Sequence, residues 1–233
     1  MELLWDGLTA AIGLITRADP ELRAIAGLSL GVSGAATTLA ALIGIPLGVG
    51  LHLKRFRGRR AVAVLVNTGM GLPPVVVGLV VTLLLWRTGP FGELRLLYTP
   101  SAMVLAQLIV ALPIVAGFTR AALDLLDPDL VLALRADGAG DGRTGYELAR
   151  AAGAPLIVAV AAGFGRAISE VGASLMVGGN IVGQTRILTT AITLETGRGE
   201  FALAIALGIV LLLLALMVNV ALGLVSVNGT THL

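Results

Sequence analysis

AAGFGRAISEVGASLMVGGNI, residues 161–181, decides how the rest of this chain is read. The stretch is long and apolar enough to cross a bilayer, yet it places Arg166 and Glu170 four residues apart near its middle. A charge at that depth costs roughly 2.5–3.5 kcal/mol on insertion scales, so pairing, water or function has to offset it. On a helix the two residues share one face, a turn apart, and can neutralise each other. Gly163, Gly165, Gly172, Gly178 and Gly179 let neighbouring backbones approach closely, as small residues do between membrane helices. Such a helix packs among others and does more than anchor.

Composition extends this reading to the whole chain. Of 233 residues, 57% are hydrophobic and 13% charged, and the mean hydropathy is +0.97. A soluble domain carries about 25% charged residues to cover its surface. The chain is therefore expected to be an all-α integral membrane protein with about five transmembrane helices. With 31 glycines and few aromatics, it suits helix packing and lacks the aromatic girdles of a β-barrel. There is no cysteine, which excludes disulfides and thiolate metal sites. His52 and His232 are too few and too far apart for a metal centre, and no cofactor is expected. The pI near 9.7 comes from arginine, with Lys54 the only lysine. That basicity reflects loop topology and not nucleic-acid binding. Lys54 follows Leu53, so the G-x-x-x-x-G-K-[ST] phosphate loop is absent and any ATP chemistry belongs to a partner.

Residues 1–23 hold an apolar segment, Leu3–Ile15, too short to span and lacking a basic leader and a cleavage site. Apolar residues at 4, 5, 8, 12 and 15 share a face, which predicts an interfacial helix in contact with lipid. The membrane domain is expected over 24–227, with a short tail at 228–233. Spans are predicted at about 24–51, 61–86, 101–123, 156–177 and 201–225. Pro73-Pro74 removes two backbone donors inside the second, which must kink or be interrupted there, either as a structural bend or as a gate. Between the third and fourth spans lies a loop of mixed polarity, about 124–151, whose pieces LVLALRA and GYELARAA flank a Gly-Ala-Gly-Asp-Gly turn. GGNIVGQTRILTTAITLETGRGE reads as a polar loop before the fifth span. The loop HLKRFRGRR, with Lys54, Arg55, Arg57, Arg59 and Arg60, is predicted to be cytoplasmic by the positive-inside rule. Five spans then put the N-terminus outside and the C-terminus inside, with nine of the 16 basic residues on the inner side.

The stretch AGFGRAISEVGASLMVGGNIVGQTRILTTAITLETGRGEFALAIALG resembles the permease subunit of tungstate ABC importers, relatives of the molybdate permeases. NTGMGLPPVVVGLVV and SLGVSGAATTLAALIGIPLG resemble the same group, so the likeness runs from about Leu28 to Gly208. ABC importer permeases carry a coupling-loop pattern close to E-A-A, three residues, Gly, nine residues, I-x-L-P. With Gly138 as its glycine, this chain keeps Ala133, Gly138-Ala139 and the apolar Leu148, and departs elsewhere. The resemblance implies a MetI-like type I importer permease that works as a homodimer and is not itself an enzyme. It also implies two ABC ATP-binding subunits docked on the coupling loop around Ala133, Asp137, Gly138, Ala139, Gly140, Gly142 and Leu148. An extracytoplasmic oxyanion-binding protein would meet the outer loop, 180–200. The cargo implied is a tetrahedral oxyanion, tungstate first, with molybdate or sulfate as near alternatives.

Two roles are open for the charged pair. Arg166 either faces the translocation path and lowers the barrier for a divalent anion, aided by Ser169 and Asn180, or pairs with Glu170 to lock packing. A different class of function, a secondary transporter using Glu170 as its ion-coupling site, is set against the lack of a two-fold internal repeat. No nucleophile–base cluster or carboxylate dyad points to a membrane enzyme.

Overall fold

A computed structural model describes residues 2–17 and 19–230, and their regular structure is entirely helical. Residues 231–233 of the expected tail lie outside the described residues, and the preceding helix runs on to Thr230. Three helices begin on the same local device, a polar cap followed by proline at the first helical position, where its missing N–H is no loss. Asp19 accepts from Leu22 N to start α2, Pro20–Leu53. Thr99 accepts from Ala102 N to start α5, Pro100–Asp124. Asp127 accepts from Asp129 N to start α6, Pro128–Ala136.

Around these, α1 is Glu2–Thr16, α3 Arg59–Met70 and α4 Pro74–Leu85. The expected coupling loop holds α6 and α7, Asp141–Ala151. It is followed by α8, Gly153–Ile168, and α9, Gly172–Gly178. The chain closes with α10, Leu188–Arg198, and α11, Phe201–Thr230. Length and apolarity let α2, α5 and α11 cross a bilayer unaided. The bent pairs α3–α4, at 107°, and α7–α8, at 82°, raise the possible crossings to five. Physical chemistry divides these bends differently. Asp141, Arg143, Glu147 and Arg150 keep α7 out of hydrocarbon, so α8 crosses with α9 as its continuation.

Two spans are interrupted, the second where its proline pair predicts a kink or break and the fourth where a single helix was expected. The second breaks at Gly71–Pro73, leaving halves of 12 residues each, about 18 Å and too short to span alone. The fourth breaks at Ser169–Val171. The expected polar loop after it also differs: α10 lies inside it, with Leu188, Thr189, Thr190, Ala191 and Glu195 buried. Threonine, weak as a helix former in water, is stable there because its hydroxyls bond back to the backbone, as Thr193 does to Thr189 O at 3.0 Å.

The centre is where α2, α5 and α8 close on one another. Ala36, Ala40, Ala111 and Ala116 have no exposed surface. At Gly48 an added Cβ would sit 2.7 Å from Ala116 O, so only hydrogen lets α2 and α5 approach so closely. Beneath this centre, Leu148 packs with Ala122, Leu123, Ala152 and Leu156, which hangs α7 from the membrane core. The α1 helix lies along the first turns of α11, with Gly7 against Ile205. It leaves Leu3, Leu4, Trp5, Leu8, Ile12 and Ile15 exposed.

Candidate functional site

The two helix breaks meet. A Cβ on Gly172, just after the Ser169–Val171 break, would lie 2.9 Å from Val75 Cγ2, just after Pro73-Pro74. Along the same contact a Cβ on Gly78 would come within 2.7 Å of Ala173 Cα. The short helices α4 and α9 therefore run together backbone to backbone. Pro73 is extended at φ −65°, ψ 123°, and Pro74 opens α4 at its first turn. The prolines thus end one helix and start another, where a bend in a continuous one was equally open.

Glu170 holds the second break together. Its residue is 1% exposed, and it lies past the end of α8, not within a continuous helix as the spacing predicts. Its carboxylate Oε1 accepts from Ala173 N at 2.9 Å, satisfying an amide that the first turn of α9 leaves orphaned. Its Oε2 stands 3.6 Å from Arg166 Nη1, an ion pair without a hydrogen bond. Its backbone carbonyl accepts from Thr189 Oγ1 of α10 at 2.9 Å. Arg166, in the last turn of α8, has a side chain 31% exposed, so part of the guanidinium reaches beyond the carboxylate. The pair is asymmetric: a buried anion doing structural work and a cation with donors to spare.

Ser169 is exposed beside Arg166 and donates to Arg166 O at 3.2 Å. Asn180 is not brought to the pair. Seven residues of α9, about 10 Å, lie between, and Asn180 lines a separate cleft with Thr190, Thr193 and Arg198. It takes the left-handed φ of +53°, which asparagine tolerates better than most residues.

In the stretch expected to couple, Ala133 lies in α6 and Asp137 ends it. Gly138 turns the chain at φ +79°, a conformation that favours glycine. Ala139 accepts from Thr144 Oγ1 at 3.4 Å, Gly140 caps α7, and Gly142 sits in its first turn. Leu148 is fully buried and braces the hairpin from above instead of standing on its surface.

A buried polar bridge crosses the core. Ser29 and Ser33, first-span residues expected to bond to their own backbone or to neighbouring helices, do reach neighbouring elements, through partners the sequence reading passed over. Ser33 of α2 donates to Gln107 Oε1 of α5 at 3.0 Å, and Gln107 Nε2 donates to Ser174 Oγ of α9 at 3.1 Å. A second tie runs from Leu188 N, at the start of α10, to Ser29 Oγ at 2.8 Å. Gln107, an amide in an otherwise apolar span, carried a usable signal, because such a group needs partners in hydrocarbon. Glu195, buried beside Arg198 at 3.2 Å, lay in the segment read as a loop and carried none. Among the described residues no group of three or more His, Cys, Asp or Glu could hold a metal ion.

Comparison with known proteins adds the following. A family model described as "Binding-protein-dependent transport system inner membrane component" matches residues 41–226. The tungstate uptake system permease protein TupB of Peptoclostridium acidaminophilum is 39% identical over 94% of this chain and 96% of its own length. A probable anion ABC transporter permease of Haloferax volcanii is 45% identical over 85% of this chain and 88% of its own. The molybdenum transport system permease ModB of Escherichia coli K12 is 31% identical over 78% and 83%. An inward-facing MetNI methionine ABC transporter superposes with a TM-score of 0.73 over 90% of this chain and 95% of that one, at 19% identity. That likeness speaks for the fold.

Proposed function

Because the chain belongs to the binding-protein-dependent transport system inner membrane components, we propose that it is the permease subunit of an ATP-driven importer of tungstate. It is a non-catalytic membrane protein whose energy comes from separate ATP-binding subunits, and an extracytoplasmic binding protein supplies the cargo. Tungstate is favoured by the 39% identity to a tungstate permease over nearly the full length of both chains. Molybdate is the near alternative, on the 31% relative.

The single observation that carries the coupled mechanism is the α6–α7 hairpin, suspended from the core by Leu148 and turned at Gly138. Its tip, Asp137–Gly142, offers exposed backbone to a groove on the ATP-binding subunit. We place this hairpin and the Lys54–Arg60 loop in the cytoplasm, with the N-terminus outside. Two copies would enclose the path, since α2, α5 and α8 of one copy pack through alanine and glycine without leaving room for it. The paired breaks would form the gate, with Pro73 and Pro74 on one side and Ser169–Val171 on the other. Arg166 would offer its spare donors to a passing dianion, and Ser169 would stand beside it. Nothing in the geometry favours a secondary carrier: Glu170 is committed to a helix cap and an ion pair.

The test is reconstitution with the ATP-binding subunits in lipid nanodiscs. Binding protein loaded with tungstate should stimulate ATP hydrolysis several-fold over empty binding protein, and sulfate should not. Gradient-driven tungstate uptake by this chain alone in liposomes would overturn the proposal.

A further inference from the structure

A cleft of about 400 Å³ opens between the last turns of α2 and one face of α7, away from the two helix breaks. Ile45, Pro46, Val49 and Leu53 form one wall, and Ala149 and Tyr146 stand on the other. The α2 wall is about 12 Å of apolar helix. Gly50 and Gly142 also line the cleft, and a Cβ on either would meet no atom within 4 Å, so the space lies open against bare backbone. One turn farther along α2, Leu42 and Ile43 are exposed. The α2 wall of the cleft therefore continues an exposed apolar helix face, while its α7 wall, kept out of hydrocarbon by its charges, stands at the level of the headgroups.

The mouth is cationic. Lys54 lines it, and Arg55 and Arg57 follow in the exposed loop. None of the three takes part in an ion pair among the described residues. Asp141, the one acid in the lining, stands 3.7 Å from Arg135 and has its charge partly met. An apolar slot open to the bilayer and rimmed by unpaired cations matches one kind of occupant, with an apolar tail and an anionic head. A helical protein segment, which satisfies its own backbone, is the competing occupant, and the unpaired cations at the mouth favour an anionic headgroup over it.

We propose that the cleft binds an anionic phospholipid, its phosphate at Lys54, Arg55 and Arg57 and one acyl chain along Ile45–Leu53. The inference needs only the membrane location and is independent of the cargo. The test is native mass spectrometry of the detergent-solubilised protein titrated with phosphatidylglycerol or phosphatidylcholine of identical acyl chains. Phosphatidylglycerol should be retained in preference. Lys54→Ala should lower its occupancy about fivefold, the effect of one basic residue at an anionic surface, and leave phosphatidylcholine unchanged. Arg87→Ala, a charge change outside the cleft, should alter neither. Gly50→Leu fills the slot and should abolish retention; where it does not fold, Gly142→Leu on the facing wall serves the same purpose. Equal retention of both lipids, indifference to Lys54→Ala, or a filled cleft that still holds phosphatidylglycerol would overturn the proposal. So would a Gly50→Leu protein that keeps its lipid but no longer co-purifies with an ATP-binding subunit, which would make the site a protein-docking groove.

Discussion

Glu170 shows how one buried carboxylate can serve two neighbours at once. It caps α9 through Ala173 N and faces Arg166 at 3.6 Å. Loss of a helix cap costs about 1 kcal/mol, and loss of one charge from a buried pair costs more because the other is left uncompensated. Since Arg166 is one-third exposed, the second cost is softened here. Glu170→Gln keeps an acceptor for Ala173 N, so it should lower the thermal midpoint less than Glu170→Ala in detergent. Arg166→Ala combined with Glu170→Gln should be more stable than Arg166→Ala alone, because no unpaired anion remains. A double variant no better than the worse single would remove the pair from the account. Spacing of four made the ion pair legible in the sequence. The cap was not, because it depends on the chain leaving the helix at Ser169, and no proline or asparagine marks that exit.

At the level of elements, the unexpected result is that the two broken spans lie against each other. Pro73-Pro74 announced its own break, since two successive prolines remove two backbone donors, whereas the single prolines Pro46 and Pro113 are accommodated inside α2 and α5. The break at Ser169–Val171 is imposed by tertiary contact. Glycines at 78 and 172 let α4 and α9 meet at backbone distance, and the Ser33–Gln107–Ser174 bridge fixes α9 from its other side. Burial of α10 was illegible for a similar reason: its threonines look polar until they are bonded to their own backbone and to Glu170 O. Gly78→Ala forces a Cβ to 2.7 Å from Ala173 Cα and should destabilise by about 1–3 kcal/mol, as overpacking does. Gly165→Ala meets nothing within 4 Å and should leave the midpoint unchanged or higher. Equal effects of the two, measured by thermal unfolding in detergent, would show that the α4–α9 contact does not hold the breaks in register.

For the molecule as a whole, the multi-span helical class was legible from composition, and the pattern of apolar segments marked about five spans, of which α2, α5 and α11 are long and apolar enough to cross unaided. Orientation rests on the basic loop at Lys54–Arg60 and can be measured directly. The chain has no cysteine, so single engineered thiols report without background. Tyr146→Cys on α7, at a residue 67% exposed, should react with a membrane-impermeant maleimide only after the cells are opened. Val182→Cys, at a residue 59% exposed, should react in intact cells. The reverse pattern would invert the topology and take the ATP-binding subunits away from the α6–α7 hairpin.

The 34 residues of α2 form an uninterrupted helix, about 51 Å long and well beyond the hydrocarbon thickness. In its first half Ser29 receives the amide that opens α10; near its far end, His52 meets Asp124 at 2.7 Å at the foot of α5. If it tilted as one body, with Pro46 confined to its last turns, such a helix would act as a lever. A tilt of about 10° around its midpoint would swing each tip by about 4 Å in opposite directions. Motion started by a motor at one face would then arrive at the other without any message passing residue by residue.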